Sequence, residues 1–485
     1  MTPATDPSPA AEPPPAAARF PAGGRPPAAD RLLTMAEDAF GAPLPLRVRA
    51  WDGSEAGPPD APVLVVRNRR ALRRALWRPG ELGLARAWVA GDLDLEGDLY
   101  EALDRVTGLF WQLHEPAASA ARSGRGNPGA PRPASDADTP SRAAALRCRL
   151  AAGRELLSLA GPLPPPPPPP EEVRGRRGRL HTHLRDRRAI RYHYDVGNSF
   201  YEQVLGPSMV YSCAYWDADG SGTLEDAQRD KLDLICRKLA LAPGECLLDV
   251  GCGWGSLALH AAREYGVRVV GITLSAEQAA YARKRVAEAG LTDRIDIRVQ
   301  DYRETADGPY DAIASVGMAE HVGSGQYRRY AERLAGLLRP GGRLLNHQIA
   351  RRPEPSDEDD YRLNDFIDAY VFPDGELAPV GRTVAQLEEA GFEVRDTEAI
   401  REHYALTLRC WVANLEAALA RPATPDSLGA VRLTTPGRVR VWLLYMAASA
   451  LSFERNRIGV NQILAVRTPD SGASGLPLRS RDWRR

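Results

Sequence analysis

The stretch Leu247-Leu248-Asp249-Val250-Gly251-Cys252-Gly253-Trp254-Gly255 is an apolar run that ends on an acid and then on three alternating glycines, and a helical pattern follows from Leu257. It reads as strand, tight loop, helix. Glycine lacks a Cβ, so such a loop lets a ligand press against the backbone and bares amide groups at the start of the next helix. A nucleotide-sized site is one reading, and an ordinary βα turn is the other.

Working outward, the pattern repeats. Val267 to Ile272 reads as a strand, Ala276 to Ala289 as a helix, Ile295 to Val299 and Tyr310 to Val316 as strands, Tyr327 to Leu338 as a helix and Gly342 to Ile349 as a fifth strand. Alternation of this kind predicts an α/β fold, a doubly wound Rossmann-like parallel sheet with ligands outside the carboxyl ends of its strands. The glycine loop lies at that edge. A dinucleotide site would want G-x-G-x-x-G and an acid after the second strand, whereas the glycines here are Gly251, Gly253 and Gly255, and Ile272 is followed by Thr273-Leu274-Ser275-Ala276-Glu277-Gln278. Gln278 can serve ribose hydroxyls instead, and Gln300-Asp301-Tyr302-Arg303 at the end of the third strand can frame an adenine. Together these features favour an adenosyl cofactor.

Upstream, residues 1–30 are rich in Pro, Ala and Gly and are expected to be disordered. Residues 31–114 read as a smaller N-terminal α/β domain. It has helices at Arg31 to Phe40 and Arg69 to Trp77, strands at Leu46 to Trp51 and Pro62 to Val66, and turns over Asp52 to Asp60. It carries no clustered His, Cys or nucleophile pattern, so docking or lipid handling fits it better than chemistry. Residues 115–173 read as a low-complexity linker whose proline run, Pro164 to Pro170, should be an extended spacer. The catalytic unit is expected at 174–470, with a disordered tail at 471–485.

The net charge is zero, from 63 basic and 63 acidic residues, so no global nucleic-acid signature exists. Only Lys231, Lys238 and Lys284 are lysines. The local basic segment, Arg174 to Arg191 with His181 and His183, suits an anionic membrane surface, a solvated linker or a helix paired with acids. Nucleic acid fits less well, because no aromatics interleave. Six cysteines without a CxxC pair argue for a reducing compartment and against a metal site. The N-terminus has no apolar signal core. The longest apolar run, Val441 to Phe453, is shorter than the about 20 residues a bilayer span takes.

Four blocks now carry a resemblance: His193-Tyr194-Asp195-Val196-Gly197-Asn198, Met209-Val210-Tyr211-Ser212-Cys213-Ala214-Tyr215-Trp216, the glycine loop, and Gly317-Met318-Ala319-Glu320-His321-Val322-Gly323. In this order they resemble the cyclopropane-fatty-acyl-phospholipid synthase family, including its mycolic-acid cyclopropane synthase relatives. The match runs over most of 190–467, and the N-terminal domain resembles the accessory domain of longer bacterial members.

The resemblance implies an S-adenosylmethionine-dependent methyltransferase of class I. It places the cofactor on Tyr211, Ser212, Leu248, Asp249, Gly251, Cys252, Gly253, Trp254, Gly255, Thr273, Leu274, Ser275, Gln278, Tyr302 and Arg303. It also implies transfer of a methyl group to a cis double bond of an acyl chain, then loss of a proton so that a ring closes, with bound bicarbonate as base. Bicarbonate would be gripped by the family's positions here, the backbones of Cys213 and Ile349 and the side chains of Glu320, His347 and Tyr404. An alkene is a poor nucleophile and its cation reacts with water, so the site should be dry and aromatic-walled. Taken alone, His347 would be a core histidine and Cys213 a small buried hydrophobe. His321 reads as structural. Arg352 to Val380 would cap an acyl tunnel, Val441 to Phe453 would line it or be plain core, and Val460 to Arg467 would be the last strand.

The implied partners are unsaturated phospholipid acyl chains at the inner face of the membrane, reached by a cytoplasmic, peripherally associated protein that forms a homodimer. Two other readings stand beside this one. A methyltransferase on the same chains could release a different proton and give a methylene- or methyl-branched product. Ala319, where many members carry an aromatic, and Asn346 and Gln348 around the histidine keep that open. A noncatalytic lipid-binding protein is the other.

Overall fold

A computed structural model describes residues 25–114, 153–161, 164–173, 182–194, 196–353, 361–421 and 434–479. Outside them fall most of the stretches read as disordered or linker, together with Arg174, Arg176, Arg177, Arg179, His181, Asp195 and part of the segment read as a cap.

The N-terminal unit comprises α1 (Ala28–Phe40), β1 (Arg47–Arg49), β2 (Glu55–Ala56), β3 (Val63–Val66), α2 (Arg70–Trp77), α3 (Glu81–Val89), β4 (Leu93–Glu96) and α4 (Leu99–His114). Its sheet has the order β2-β1-β3-β4, with β1 and β3 parallel and the outer pairs antiparallel. β2 lies inside the segment read as a turn. Two residues are too few for alternation to show, and only their pairing with β1, Val48 with Ala56 and Arg49 with Glu55, defines them.

The larger unit continues with α5 (His183–Tyr194), α6 (Asn198–Leu205), α7 (Leu224–Lys238), β5 (Cys246–Val250), α8 (Ser256–Glu264), β6 (Arg268–Thr273), α9 (Ala276–Glu288), β7 (Ile295–Val299), β8 (Tyr310–Val316), α10 (Ser324–Leu337) and β9 (Leu338–Arg351). It ends with α11 (Asp365–Tyr370), α12 (Val380–Glu389), β10 (Glu393–Ala399), α13 (Arg401–Ala420), α14 (Pro436–Glu454) and β11 (Ile458–Val466).

β5 through β9 are parallel, β11 runs antiparallel between β9 and β10, and the sheet order is β10-β11-β9-β8-β5-β6-β7. The order reverses between β5 and β8, which opens a crevice at their carboxyl ends. β5 is apolar without alternation because both its faces are covered. Leu247 packs with α8 and α9 on one face, and Leu248 packs with Tyr330 and Leu334 of α10 on the other. Helix ends carry conventional stops. Thr223 caps α7 by accepting from the Asp226 N–H, and acids in its first turn and Arg237 and Lys238 in its last complement the helix dipole.

The two units share one apolar core rather than meeting across a spacer. Leu82, Ala85 and Val89 of α3 join Phe366, Tyr370, Trp442 and Met446 of the larger unit. The proline segment, read as an extended spacer, also binds both sides through its carbonyls and the acids that follow it. Arg74 donates to the Pro167 carbonyl at 2.7 Å, Glu172 accepts two bonds from Arg86 at 2.6 and 2.7 Å, and Thr435 donates to Glu171 at 2.6 Å. Leu159 and Ala160, also inside the expected linker, are buried in the core of the small unit. At the far end, residues 471–479 are placed as well. Leu476 packs on the sheet's core and Gly475 accepts from Arg343 at 2.9 Å, which corrects the reading of that part as a disordered tail.

Of the basic segment, the described part is a helix paired with acids. Arg185 binds Asp374 through two bonds at 2.7 and 2.9 Å, and Asp186 accepts from Arg303 at 2.9 Å.

Candidate functional site

Asp249 is the penultimate residue of β5, and after Val250 the chain turns through Gly251, Gly253 and Gly255 at φ of 80°, 53° and 81°. These are left-handed conformations that favour glycine. A Cβ on Gly251 would meet the Met318 side chain at 3.5 Å, while Gly253 faces open space. The loop borders a cavity of about 1100 Å³ at the carboxyl ends of β5, β6 and β8.

Asp249 is buried, and its Oδ2 has no hydrogen-bond partner among the described residues. Burial pushes its carboxyl up to about 7, against the pull of Lys231. Lys231 is itself 2% exposed and donates to Ser212 Oγ at 2.8 Å, and burial lowers its ammonium to about 8. Sequence reasoning missed this residue. The signal was present, since a chain that writes nearly every positive charge as Arg keeps Lys here.

Beyond β6, Thr273 donates to Gln278 Oε1 at 3.0 Å, which leaves the Gln278 amide NH₂ as its free group toward the cavity. Ser275 turns away and caps α9 by accepting from the Gln278 N–H at 3.2 Å. Tyr302 lies edge-on to Tyr330 at 5.0 Å and lines the cavity. Arg303 also lines it, but its guanidinium is held by Asp301 at 2.7 and 2.8 Å and by Asp186.

The other half of the cavity gathers groups from β8, β9 and α13. Glu320 sits in the turn Ala319–His321 after β8, and its Oε1 accepts from the Ile349 N–H at 2.8 Å. Its Oε2 is buried without a partner among the described residues, and burial pushes the carboxyl up to about 7. His347 lies within β9, as the strand read over Gly342 to Ile349 places it, and β11 carries the strand on to Arg351 by pairing Gln462 with His347 and Ile458 with Arg351. Gln462 Nε2, which can only donate, faces His347 Nδ1 at 3.4 Å. On the other side of the ring, Nε2 is buried and has no hydrogen-bond partner among the described residues. Burial first, and then Lys231 and Lys238, hold this histidine well below its ordinary value, so it is neutral.

Around these groups the walls are aromatic. Tyr404 packs on Phe453 at 4.7 Å, Tyr211 on Trp411 at 5.3 Å, and Tyr201 on Trp254 at 4.7 Å. Such a box favours a sulfonium or a carbocation over a hydrated ion.

The cavity thus brings together Tyr211, Ser212, Asp249, Gly251, Cys252, Gly253 and Trp254 with Thr273, Leu274, Gln278, Tyr302 and Arg303. Glu320, His347, Ile349 and Tyr404 line it too, and so does His321, read from sequence as structural. Four residues stand back from it. Leu248 faces the core, Gly255 starts α8 against Ala282, and Ser275 caps α9. Cys213 is fully buried, with its Sγ donating to the carbonyls of Ala214 and Ile400.

The geometry fits both implied groups. A glycine cradle beside an orphaned buried carboxylate oxygen suits an adenosyl amino acid with a cationic amino group. A neutral His347 with a buried, unsatisfied Nε2 and a Glu320 with a buried, unsatisfied Oε2, both lining the same cavity, suit a small polar group that can bond to them.

The family model for mycolic acid cyclopropane synthetase matches residues 181–463. Over 445 residues, 90% of this chain and 94% of the relative, the chain is 42% identical to a protein of Mycobacterium tuberculosis named "probable fatty acid methyltransferase". It is 39% identical to the cyclopropane-fatty-acyl-phospholipid synthase of Escherichia coli over 58% of this chain and 68% of that one. Among solved structures it is similar to a mycolic acid cyclopropane synthase complexed with SAH and CTAB. The TM-score is 0.53 at 31% identity, covering 59% of this chain and 99% of that one.

Proposed function

The chain belongs to the mycolic acid cyclopropane synthetase family and is an S-adenosylmethionine-dependent methyltransferase; from that premise we propose that it transfers a methylene group to the cis double bond of unsaturated acyl chains in membrane phospholipids, closing a cyclopropane ring. One observation supports this above the rest. Glu320 Oε2 and His347 Nε2 are both buried and without partners among the described residues, and both residues line the aromatic cavity that the glycine cradle borders.

When bound, S-adenosylmethionine supplies an electrophilic methyl group and bicarbonate supplies a base. The residues of this chain do the rest. Gly251 and Gly253 admit the adenosyl group close to the backbone, Gln278 offers an amide to the ribose, and Asp249 offers its orphaned oxygen to the amino group. His347 offers its buried Nε2 to a small polar group at the reacting end, with Glu320 and Tyr404 beside it. Tyr211, Tyr445 and Phe453 exclude water and stabilise positive charge on the chain. The thiol on the cavity wall does not compete as a nucleophile, because burial holds Cys252 well above its ordinary value and so protonated.

The test is incubation of purified protein with S-adenosylmethionine, bicarbonate and dioleoyl phospholipid vesicles. Mass spectrometry should show acyl chains heavier by one CH₂, and their absence sinks the proposal. A second reading, in which the cation loses a different proton and gives a methylene-branched chain, is favoured by one finding. The relatives that span nine-tenths of this chain bear the name fatty acid methyltransferase. Proton NMR separates the products, since a ring and an exocyclic alkene give distinct signals.

Among the described residues no helix is long and apolar enough to cross a membrane. The proposal includes peripheral binding at the cytoplasmic face of the membrane, read by vesicle co-sedimentation, and a homodimer, read by sedimentation velocity.

A further inference from the structure

The cavity does not stop at the reaction centre. It continues between α3 and α14, past Ala85, Trp88 and Leu444, into the N-terminal unit. There its walls are Leu46 just before β1, Leu64, Leu93 and Leu95 on the sheet, and Leu103 and Val106 on α4. Leu64 pairs with Leu95 across β3 and β4, and Leu93 and Leu95 are two apart on one strand, so these side chains share one face. That is the face whose residues should close the small core. Leu64, Leu93, Leu95 and Val106 stay only half-buried at its edge.

An apolar void lowers stability and does not recruit water, so a hollow core continuous with a reaction site calls for an apolar occupant. The arm is also held rigidly to the site. Trp88 donates to the Arg440 carbonyl at 2.9 Å while the Arg440 guanidinium stacks 4.1 Å over its ring and reaches Asp94 at 3.1 Å. Arg455 binds Asp104 of α4. The similar solved synthase is covered almost entirely by 59% of this chain, so the remaining part adds something other than the methyl-transfer half.

We propose that the hollow core of the N-terminal unit is an acyl-chain site, in which a segment of the substrate chain remote from the reacting double bond lies between the sheet and α4. This rests on the acyl-chain reading above, and the test separates the two. The full chain is mixed with dioleoyl phosphatidylglycerol vesicles that carry a trace of phospholipid with a diazirine either near the carboxyl end or at the methyl end of one acyl chain. After irradiation, peptide mapping should find adducts within residues 40–107 from one of the two probes. Adducts confined to 183–466 with both probes would overturn the proposal. This readout needs no turnover, so it stands even if no product forms.

Where product forms, Leu95→Trp should lower the ratio of turnover on long to short cis-monounsaturated chains at least tenfold, with S-adenosylmethionine binding serving as the control for folding. The smaller change Leu95→Ala should leave the fold intact and shift the ratio the other way. Ratios that match wild type in both variants would overturn the assignment.

Discussion

Glu320 shows how far a single side chain can be read. Its position after the fourth strand was legible, since that strand and the resemblance placed it at the cleft. Its environment was not, because desolvation depends on packing from β9 and α10 that no local pattern encodes. With one oxygen on the Ile349 amide and the other bare, Glu320→Gln should keep S-adenosylmethionine affinity near wild type and lower turnover about a hundredfold or more. Unchanged turnover removes Glu320 from the chemistry.

The same substitution reads the pH dependence of stability. Burial raises this carboxyl from 4.5 to about 7, so the folded state holds its proton more tightly than the unfolded state. Its contribution is present below 4.5 and is lost as pH rises toward 7. His347 acts in the opposite sense, being depressed when folded, so the wild-type profile alone is ambiguous. The difference isolates Glu320. The Gln variant should gain stability relative to wild type between pH 4.5 and 7 in urea titrations, and a flat difference would contradict the burial argument.

Lys231 was present in the sequence as one of three lysines but stood in no motif. Only folding sets it behind Ser212 and near Asp249. Arg could not replace it, because a guanidinium is larger and stays charged under the desolvation that shifts this amine. Lys231→Met should cost about 1.5–3 kcal/mol of S-adenosylmethionine binding, the scale of a hydrogen bond to a charged group. Calorimetry that gives a wild-type Kd would assign Lys231 to the fold alone.

Among the elements, the parallel strands were legible because each is a short apolar run between turn signals. β10 was not. Its sequence, Glu393 to Ala399, is mostly polar, as an edge strand with one open side can be, and pairing with β11 alone makes it a strand. That edge still does structural service. Glu398 pairs at 2.6 Å with Lys238, which is 1% exposed at the end of α7. Removing one partner of a buried pair strands the other, whereas replacing the cation with an apolar chain does not. Glu398→Ala should therefore destabilise the protein by about 3–5 kcal/mol, and Lys238→Met by clearly less. Equal losses in urea unfolding would mean that Asp396, 3.7 Å away, already satisfies the lysine.

At the scale of the whole molecule, the change of composition around the proline run was legible, but the core shared across it was not. Composition marks where a chain could be flexible. It does not show that a carbonyl of the proline run accepts from Arg74 or that Glu172 clamps Arg86. The apolar stripe of α3 likewise reads the same whether it closes its own domain or a neighbour's. Here Leu82, Ala85 and Val89 sit in the larger core, so neither unit completes its burial alone. A shared core of this kind couples unfolding, because exposing one side exposes the other. Scanning calorimetry of the full chain should give one transition, and two resolved peaks in the wild type would refute the coupling. Arg440 is the place to weaken it. It holds Trp88 and Asp94 from α14 without touching the glycine loop or Glu320. Arg440→Ala should split or broaden the transition and leave the Kd for S-adenosylmethionine near wild type. Turnover on long acyl chains should fall in the same variant, since the arm that would hold them no longer stays aligned with the reaction centre.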